Sequence, residues 1–138
     1  VSSGRINIGP LSELEPAPAR RGFRLAPRDG MGMASNADVV FDLPAARLWQ
    51  AWLMVAARQP RTTLIALDAD RHRSVHVQQS RVFRFQDRVR AEIVEFDRRR
   101  CGLAIDSRSL LGYYDLGVNR RRVLMWLAEL REALRVAP

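Results

Sequence analysis

The chain of 138 residues contains no lysine; all 23 of its basic residues are arginine. That skew points to codon bias as much as to a selected binding face, so the net charge of +8 is weak support for a nucleic-acid partner. There is a single cysteine, Cys101, which excludes an internal disulfide and gives no sign of compartment. Only two histidines are present, His72 and His76, which limits metal and general-base chemistry. No apolar run approaches the ~18–20 residues a membrane span needs. The first residues, Val1-Ser2-Ser3-Gly4-Arg5, lack the apolar core of a signal peptide. The start on Val is compatible with truncation, processing or a non-standard start codon.

What is present is enough apolar content, 47%, for one domain with a real core. The positive charge is uneven. Residues 1–40 carry five Arg against four acids, residues 41–97 nine against seven, and residues 98–138 nine against four.

Composition divides the chain into an arm, residues 1–40, and a single α+β domain, residues 41–138. The arm is rich in Pro, Gly, Ser and Ala and keeps neither a helical nor a strand period. It reads as extended or partly disordered, with a short strand expected at Gly22–Ala26 or Val39–Phe41. In the domain, Asp42-Leu43-Pro44 resembles a helix start, with a capping carboxylate and Pro in the first turn. Leu48, Trp52, Val55 and Ala56 recur at helical spacing until Pro60.

Four strand-like runs follow: Thr62–Leu67, Ser74–Phe85, Val89–Phe96 and Cys101–Ser109. In the second, Val75, Val77, Phe83 and Phe85 share one parity and so one face. Short connections favour an antiparallel meander. A last helix is expected over Val118–Arg135, with Val123, Trp126, Leu127, Leu130 and Leu134 as its apolar stripe. The fold expectation is therefore a four-stranded antiparallel meander with two helices packed on one face, in the order helix, four strands, helix. The other sheet face is open to solvent, to the arm or to a ligand.

The segment Ile105–Arg122 joins the last strand to the last helix. Leu103 and Ile105 face one side of the strand; Asp106 and Arg108 face the other. Gly112 and Gly117 suit a tight path, and Asp115 or Asn119 can cap the helix. Arg120, Arg121 and Arg122 then occupy its first turn, the wrong end of the helix dipole by ~0.3–1 kcal/mol per exposed residue. Either Asp115 and Asp106 pair with them, or an anion sits there. The two arginine triplets, 98–100 and 120–122, lie roughly 30 Å apart along the fourth strand, too far for one groove. No aromatic platform interleaves with them, so nucleic-acid binding is not expected.

Catalytic signals are thin. His72 and His76 lack an obvious third ligand, so no metal is expected. Cys101 beside Arg98–Arg100 has a route to a lowered pKa, but a lone Cys opening a strand is more simply packed. Asp106, Arg108 and Asp115 read as an ion-pair network that pins the corner. No nucleophile–base pair emerges, and no cofactor is implied.

The stretch Ser107-Arg108-Ser109, Gly112-Tyr113, Asp115-Leu116-Gly117-Val118-Asn119-Arg120 and Arg122-Val123 resembles the closing motif of a bacterial and plastid family known only as domain of unknown function 1499. Gln79–Asp87 is similar to its S-x-x-F-R-F-x-D strand end, and Pro60-Arg61 also fits. The resemblance spans Asp42 to Leu134. Many members carry a small residue, usually Ser, at the position of Tyr114, which marks Tyr114 for a surface contact. Many also carry cysteines where Ala26–Asn36 has none, so no redox or metal role is carried over. Membrane anchors in many members imply an envelope or membrane-associated location.

The functional expectation is a non-enzymatic interaction or accessory module that docks on a membrane-associated protein assembly through its arm and basic ends. The alternative is a binding domain for a small anionic or amphipathic ligand. Arg108, Tyr114, Arg120, Arg121 and Arg122 are the candidate contacts with an anion, a membrane surface or a protein partner. Ser107, Gly112, Asp115, Gly117 and Asn119 form the structural motif. The division into arm and domain makes one prediction: Gly117→Val lowers the melting temperature more than Gly32→Val. Equal melting temperatures would overturn that division.

Overall fold

The computed structural model describes residues 6–27, 39–112 and 114–136. Among the described residues the fold is α+β, with a mostly antiparallel sheet and two α-helices. After a single 3-10 turn, Leu11–Glu13, come β1 (Gly22–Leu25), β2 (Val40–Phe41), α1 (Ala45–Ala57), β3 (Thr62–Asp68), β4 (Arg73–Gln79), β5 (Gln86–Asp97), β6 (Arg100–Ser109) and α2 (Val118–Val136).

The expected four-stranded meander in the order helix, four strands, helix is corrected in two respects. The sheet has six strands, in the order β1-β6-β5-β4-β3, with β2 also on β6. β1 and β2 share the outer edge of β6: Gly22–Leu25 pair with Ile105–Arg108, and Val40–Phe41 pair with Cys101–Gly102. Where a single short strand was expected, at Gly22–Ala26 or at Val39–Phe41, strands form at both places, and they precede α1. Strands of four and two residues are too short to show a period; the open edge of β6 recruits them. The helices are also not arranged as the expected pair packed on one face of a four-stranded meander. α2 lies against β1 and β6, α1 against β3, β5 and β6, and the helices touch each other.

Three local boundaries also differ. β4 stops at Gln79 and β5 already begins at Gln86. Residues 80–85 are thus a connection, and Phe83 and Phe85 do not share a strand face with Val75 and Val77. Asp42 does not cap α1. Pro44 occupies the cap position in extended conformation, its carbonyl accepting from the Arg47 and Leu48 N–H groups, while Asp42 faces Arg100.

The main core joins Leu48, Trp52 and Val55 of α1 to Val123, Trp126 and Leu130 of α2 and to Val89, Ile93, Leu103 and Ile105 of the sheet. Alternation along β6 sends Ala104 and Asp106 to the far face. There Leu11 and Ala26 pack on Ala104. Arg24 ties this layer down: its Nε donates to Asp106 Oδ2 at 2.8 Å, and its Nη2 donates to the Leu14 carbonyl at 2.9 Å. Close approach has its own requirement at Gly102, where a Cβ would lie 2.4 Å from Pro27 Cγ.

His76 is buried edge-on between Trp52 and Trp126, with ring centroids 6.2 and 6.3 Å away. Burial lowers its pKa from 6.5 to about 4. Between those values the unfolded chain binds a proton that the folded chain refuses, so stability falls as pH drops through that window. We expect His76 to account for roughly 3 kcal/mol of that loss. Urea unfolding from pH 7 downward checks this: His76→Leu should flatten the dependence, and an unchanged slope would assign it elsewhere.

Candidate functional site

The junction between β6 and α2 is built from two consecutive left-handed residues, Leu116 at φ 55° and Gly117 at φ 78°. Gly adopts this conformation without strain, whereas Leu pays for it. Asp115 stabilises the turn: Oδ1 accepts from Gly117 N–H and its carbonyl accepts from Val118 N–H. The Gly117 carbonyl then accepts from Arg121 N–H. Asp115 therefore supports the corner, while Asn119 lies inside the helix and is buried. Gly112 also has positive φ, at 95°. Gly32 and the rest of 28–38 lie outside the described residues.

Asn119 is a hub. Its Nδ2 lies 2.8 Å from Asp115 Oδ2 and 2.9 Å from Ser109 Oγ, and its Oδ1 accepts from Ser107 Oγ at 2.7 Å. Arg122 is buried beside it. One guanidinium nitrogen donates to Asn119 Oδ1 at 2.7 Å and to Ser107 Oγ at 3.1 Å. Another donates to Asp87 Oδ2 at 2.6 Å, and Nε donates to Gln78 Oε1. The network links α2 to β4, β5 and β6.

The three arginines at the helix start thus find three different compensations, because successive helical residues point ~100° apart. Arg120 lies over the Phe23 ring at 5.8 Å. Arg121 stays exposed and donates to the Leu116 carbonyl at 3.0 Å. Arg122 pairs with Asp87, not with Asp115 or Asp106. Asp106 is instead held on the far face by Arg24 and by Arg108, whose Nε and Nη2 lie 2.8 and 2.9 Å from its two oxygens. Arg108 also donates to the Glu15 carbonyl, so its donors are committed on the face away from α2.

Two adjoining hollows open at this end of the sheet, with Ser80 and Val118 common to both. One, of about 260 Å³, is lined by Phe83, Phe85, Leu111, Tyr114 and Leu116, with Asp87 at its inner side. The other, of about 440 Å³, is lined by Arg61, Arg81, Arg121 and Met125, with Gln78 and Arg122. The Asp87–Arg122 pair stands between them. Of the five sequence-predicted contact residues, Tyr114, Arg121 and Arg122 meet at this cleft. Arg108 and Arg120 do not line it.

Sequence reasoning passed over Asp87, Gln78 and the apolar mouth. Reading 74–85 as one strand hid Phe83 and Phe85 as cleft residues, although the family-like stretch Gln79–Asp87 contained them. Other candidates are spent elsewhere. Cys101 is buried, its thiol donates to the Leu43 carbonyl at 3.2 Å, and burial together with Glu95 pushes its pKa up to about 11. The arginine triplet does not activate it. His72 lies against Trp49, 5.3 Å between centroids, in an environment separate from that of His76. Among the described residues no group of three His, Cys, Asp or Glu side chains converges for a metal.

Removing one partner from a buried pair leaves a desolvated charge. We expect Asp87→Asn to cost about 3–5 kcal/mol in urea unfolding. Arg122→Met should cost more, because it also strips donors from Gln78, Ser107 and Asn119. Equal losses would show that the ion pair alone matters.

The sheet and helices are similar to those of the ZhuI aromatase/cyclase from Streptomyces sp. R1128, with a TM-score of 0.51 at 13% identity over 83% of this chain and 94% of that one. A solution structure from Thermobifida fusca has a TM-score of 0.45 at 15% identity, covering 82% of each chain. At such identities the first likeness describes the fold alone. No curated protein matches the chain. The family model described as protein of unknown function, DUF1499, matches residues 34–130, and the chain belongs to that family.

Proposed function

We propose that this domain is a non-enzymatic binding module that holds a small amphipathic anion in the cleft between the 80–85 connection, the 110–117 corner and the start of α2. One observation carries this reading: a hollow lined by large apolar side chains adjoins one lined by arginines. An apolar tail suits the first and an anionic head the second. The combined size falls within the ~300–1,000 Å³ of small-molecule sites.

The same geometry weighs against the other classes. The described part of the arm is used by the domain itself, through Leu11, Arg24 and Ala26, which favours the cleft over the arm as the binding surface. Asp87 and Asp115, the carboxylates lining the cleft, already accept from Arg122, Gly117 and Asn119. Neither stands ready as a general base. Amphipathic anions of this kind collect at lipid surfaces, so an envelope or membrane-associated location belongs to the same proposal.

Dodecanoate below its micelle concentration is a suitable probe, with dodecyltrimethylammonium as the cationic control. Dodecanoate should raise the melting temperature and the cationic control should not. Arg121→Glu should weaken apparent dodecanoate affinity by about tenfold, the equivalent of ~1.4 kcal/mol. Arg120→Glu, away from the cleft, should do much less. Equal stabilisation by both amphiphiles, or equal effects of the two substitutions, would overturn the assignment.

A further inference from the structure

Two tips at this end of the sheet break the usual surface rules in the same way. In the β4–β5 connection Arg84 is left-handed, at φ 56°, between two stacked rings, Phe83 and Phe85, 5.5 Å apart. Val82 and Phe83 are 75% and 73% exposed. In the corner before α2, Leu116 is left-handed and 82% exposed, and Leu111 is 66% exposed. Left-handed non-glycine backbone is strained, and a fold keeps it only where something fixes it. Here something does. Ser80 Oγ accepts from Phe85 N–H and Ser80 N–H donates to the Phe85 carbonyl, both at 2.8 Å. These bonds close the connection on which Val82 and Phe83 are exposed.

The polar groups on these tips are of one kind. Residues 80–85 read Ser-Arg-Val-Phe-Arg-Phe, and the Ser hydroxyl is already used within the turn. Arg81 and Arg84 flank Val82 and Phe83 in the chain and Arg121 lines the adjoining hollow, while Asp87 and Asp115 are committed to internal partners. Apolar groups with arginines beside them complement an anionic lipid surface. Hydrocarbon enters the boundary between headgroups and acyl chains, and guanidinium groups grip phosphate.

We infer that this end of the domain docks on the surface of an anionic lipid bilayer through Val82, Phe83 and Leu116, with Arg81, Arg84 and Arg121 on lipid phosphates. The inference adjoins the cleft reading, since Phe83, Leu116, Arg81 and Arg121 serve both, but Val82 and Arg84 belong to the tip alone. Docking would set the mouth of the cleft against the source of its amphiphile.

A net charge of +8 adsorbs to anionic vesicles by any face, so the test must report insertion. Trp49, Trp52 and Trp126 are buried and give a constant fluorescence background. In the intact chain, Phe83→Trp should shift its emission to the blue with phosphatidylglycerol-containing vesicles, and bromine on the acyl chains should quench it. Phosphatidylcholine vesicles should give a much weaker response. Val82→Asp with Phe83→Asp should cut vesicle affinity about tenfold or more, given the apolar area lost. Arg98→Glu with Arg99→Glu, at the opposite end of the sheet, should cut it far less. Co-sedimentation without a blue shift, a larger loss from the Arg98 and Arg99 pair, or self-association abolished by the tip variant would each overturn the inference. Dodecanoate binding measured without vesicles separates the two readings: if it survives while vesicle docking fails, only the inference drawn here falls.

Discussion

Asn119 and Arg122 are buried polar residues on α2, and the position of that helix is set by the need to satisfy both. An unpaired guanidinium in this interior would cost several kcal/mol, so Arg122 must reach Asp87 on β5 and Gln78 on β4 together. Asn119 must meet Ser107 and Ser109 on β6 and Asp115 in the corner. Three strands and one turn therefore fix a single register for the helix. A purely apolar seam would tolerate sliding by a turn; this one does not. The core of Trp52, Trp126 and Leu103 then packs behind a helix whose position is already determined.

That constraint also explains the cleft. Arg122 points inward and draws β4 and β5 toward α2, while the 80–85 connection and the 110–117 corner extend past the end of the network. Among the described residues there, Val82, Phe83, Leu111 and Leu116 stay exposed. A corner that merely turned the chain could place Gly or Asn where Leu116 sits. Retaining Leu in left-handed backbone, and exposed, sets the corner apart from a simple connector.

Much of this was legible in the sequence, and the misses have physical causes. Helix periodicity located α1 and α2 because ten or more residues repeat one pattern. Parity along β6 correctly opposed Leu103 and Ile105 to Asp106. Three arginines at a helix N-terminus correctly signalled a need for compensation, but Asp87 lies 35 residues from Arg122, and distance in sequence hides such partners. Arg24 gave no signal at all: it looks like any arm residue until β1 pairs with β6 and brings it to Asp106. The 80–85 stretch failed for a different reason. Phe83 and Phe85 alternate like strand residues, and nothing in that alternation shows that Arg84 has left the extended region.

The net charge, finally, is a poor guide until the arginines are divided by task. Arg24, Arg108 and Arg122 hold buried or half-buried carboxylates, and Arg73 holds Glu92. These are internal staples, and guanidinium suits the work because its planar fork serves several acceptors at once. Arg24 reaches Asp106 and backbone carbonyls together; Arg122 reaches Asp87, Gln78, Ser107 and Asn119. A chain whose basic residues are all arginine can thus spend part of its charge on internal pairs. The arginines that the proposed binding reading uses are those left at the surface next to apolar groups. At the loop end Arg81, Arg84 and Arg121 share a few residues of chain with Val82, Phe83 and Leu116. In the proposed reading it is this juxtaposition, rather than the total charge, that favours an amphipathic anionic partner over a uniformly charged one.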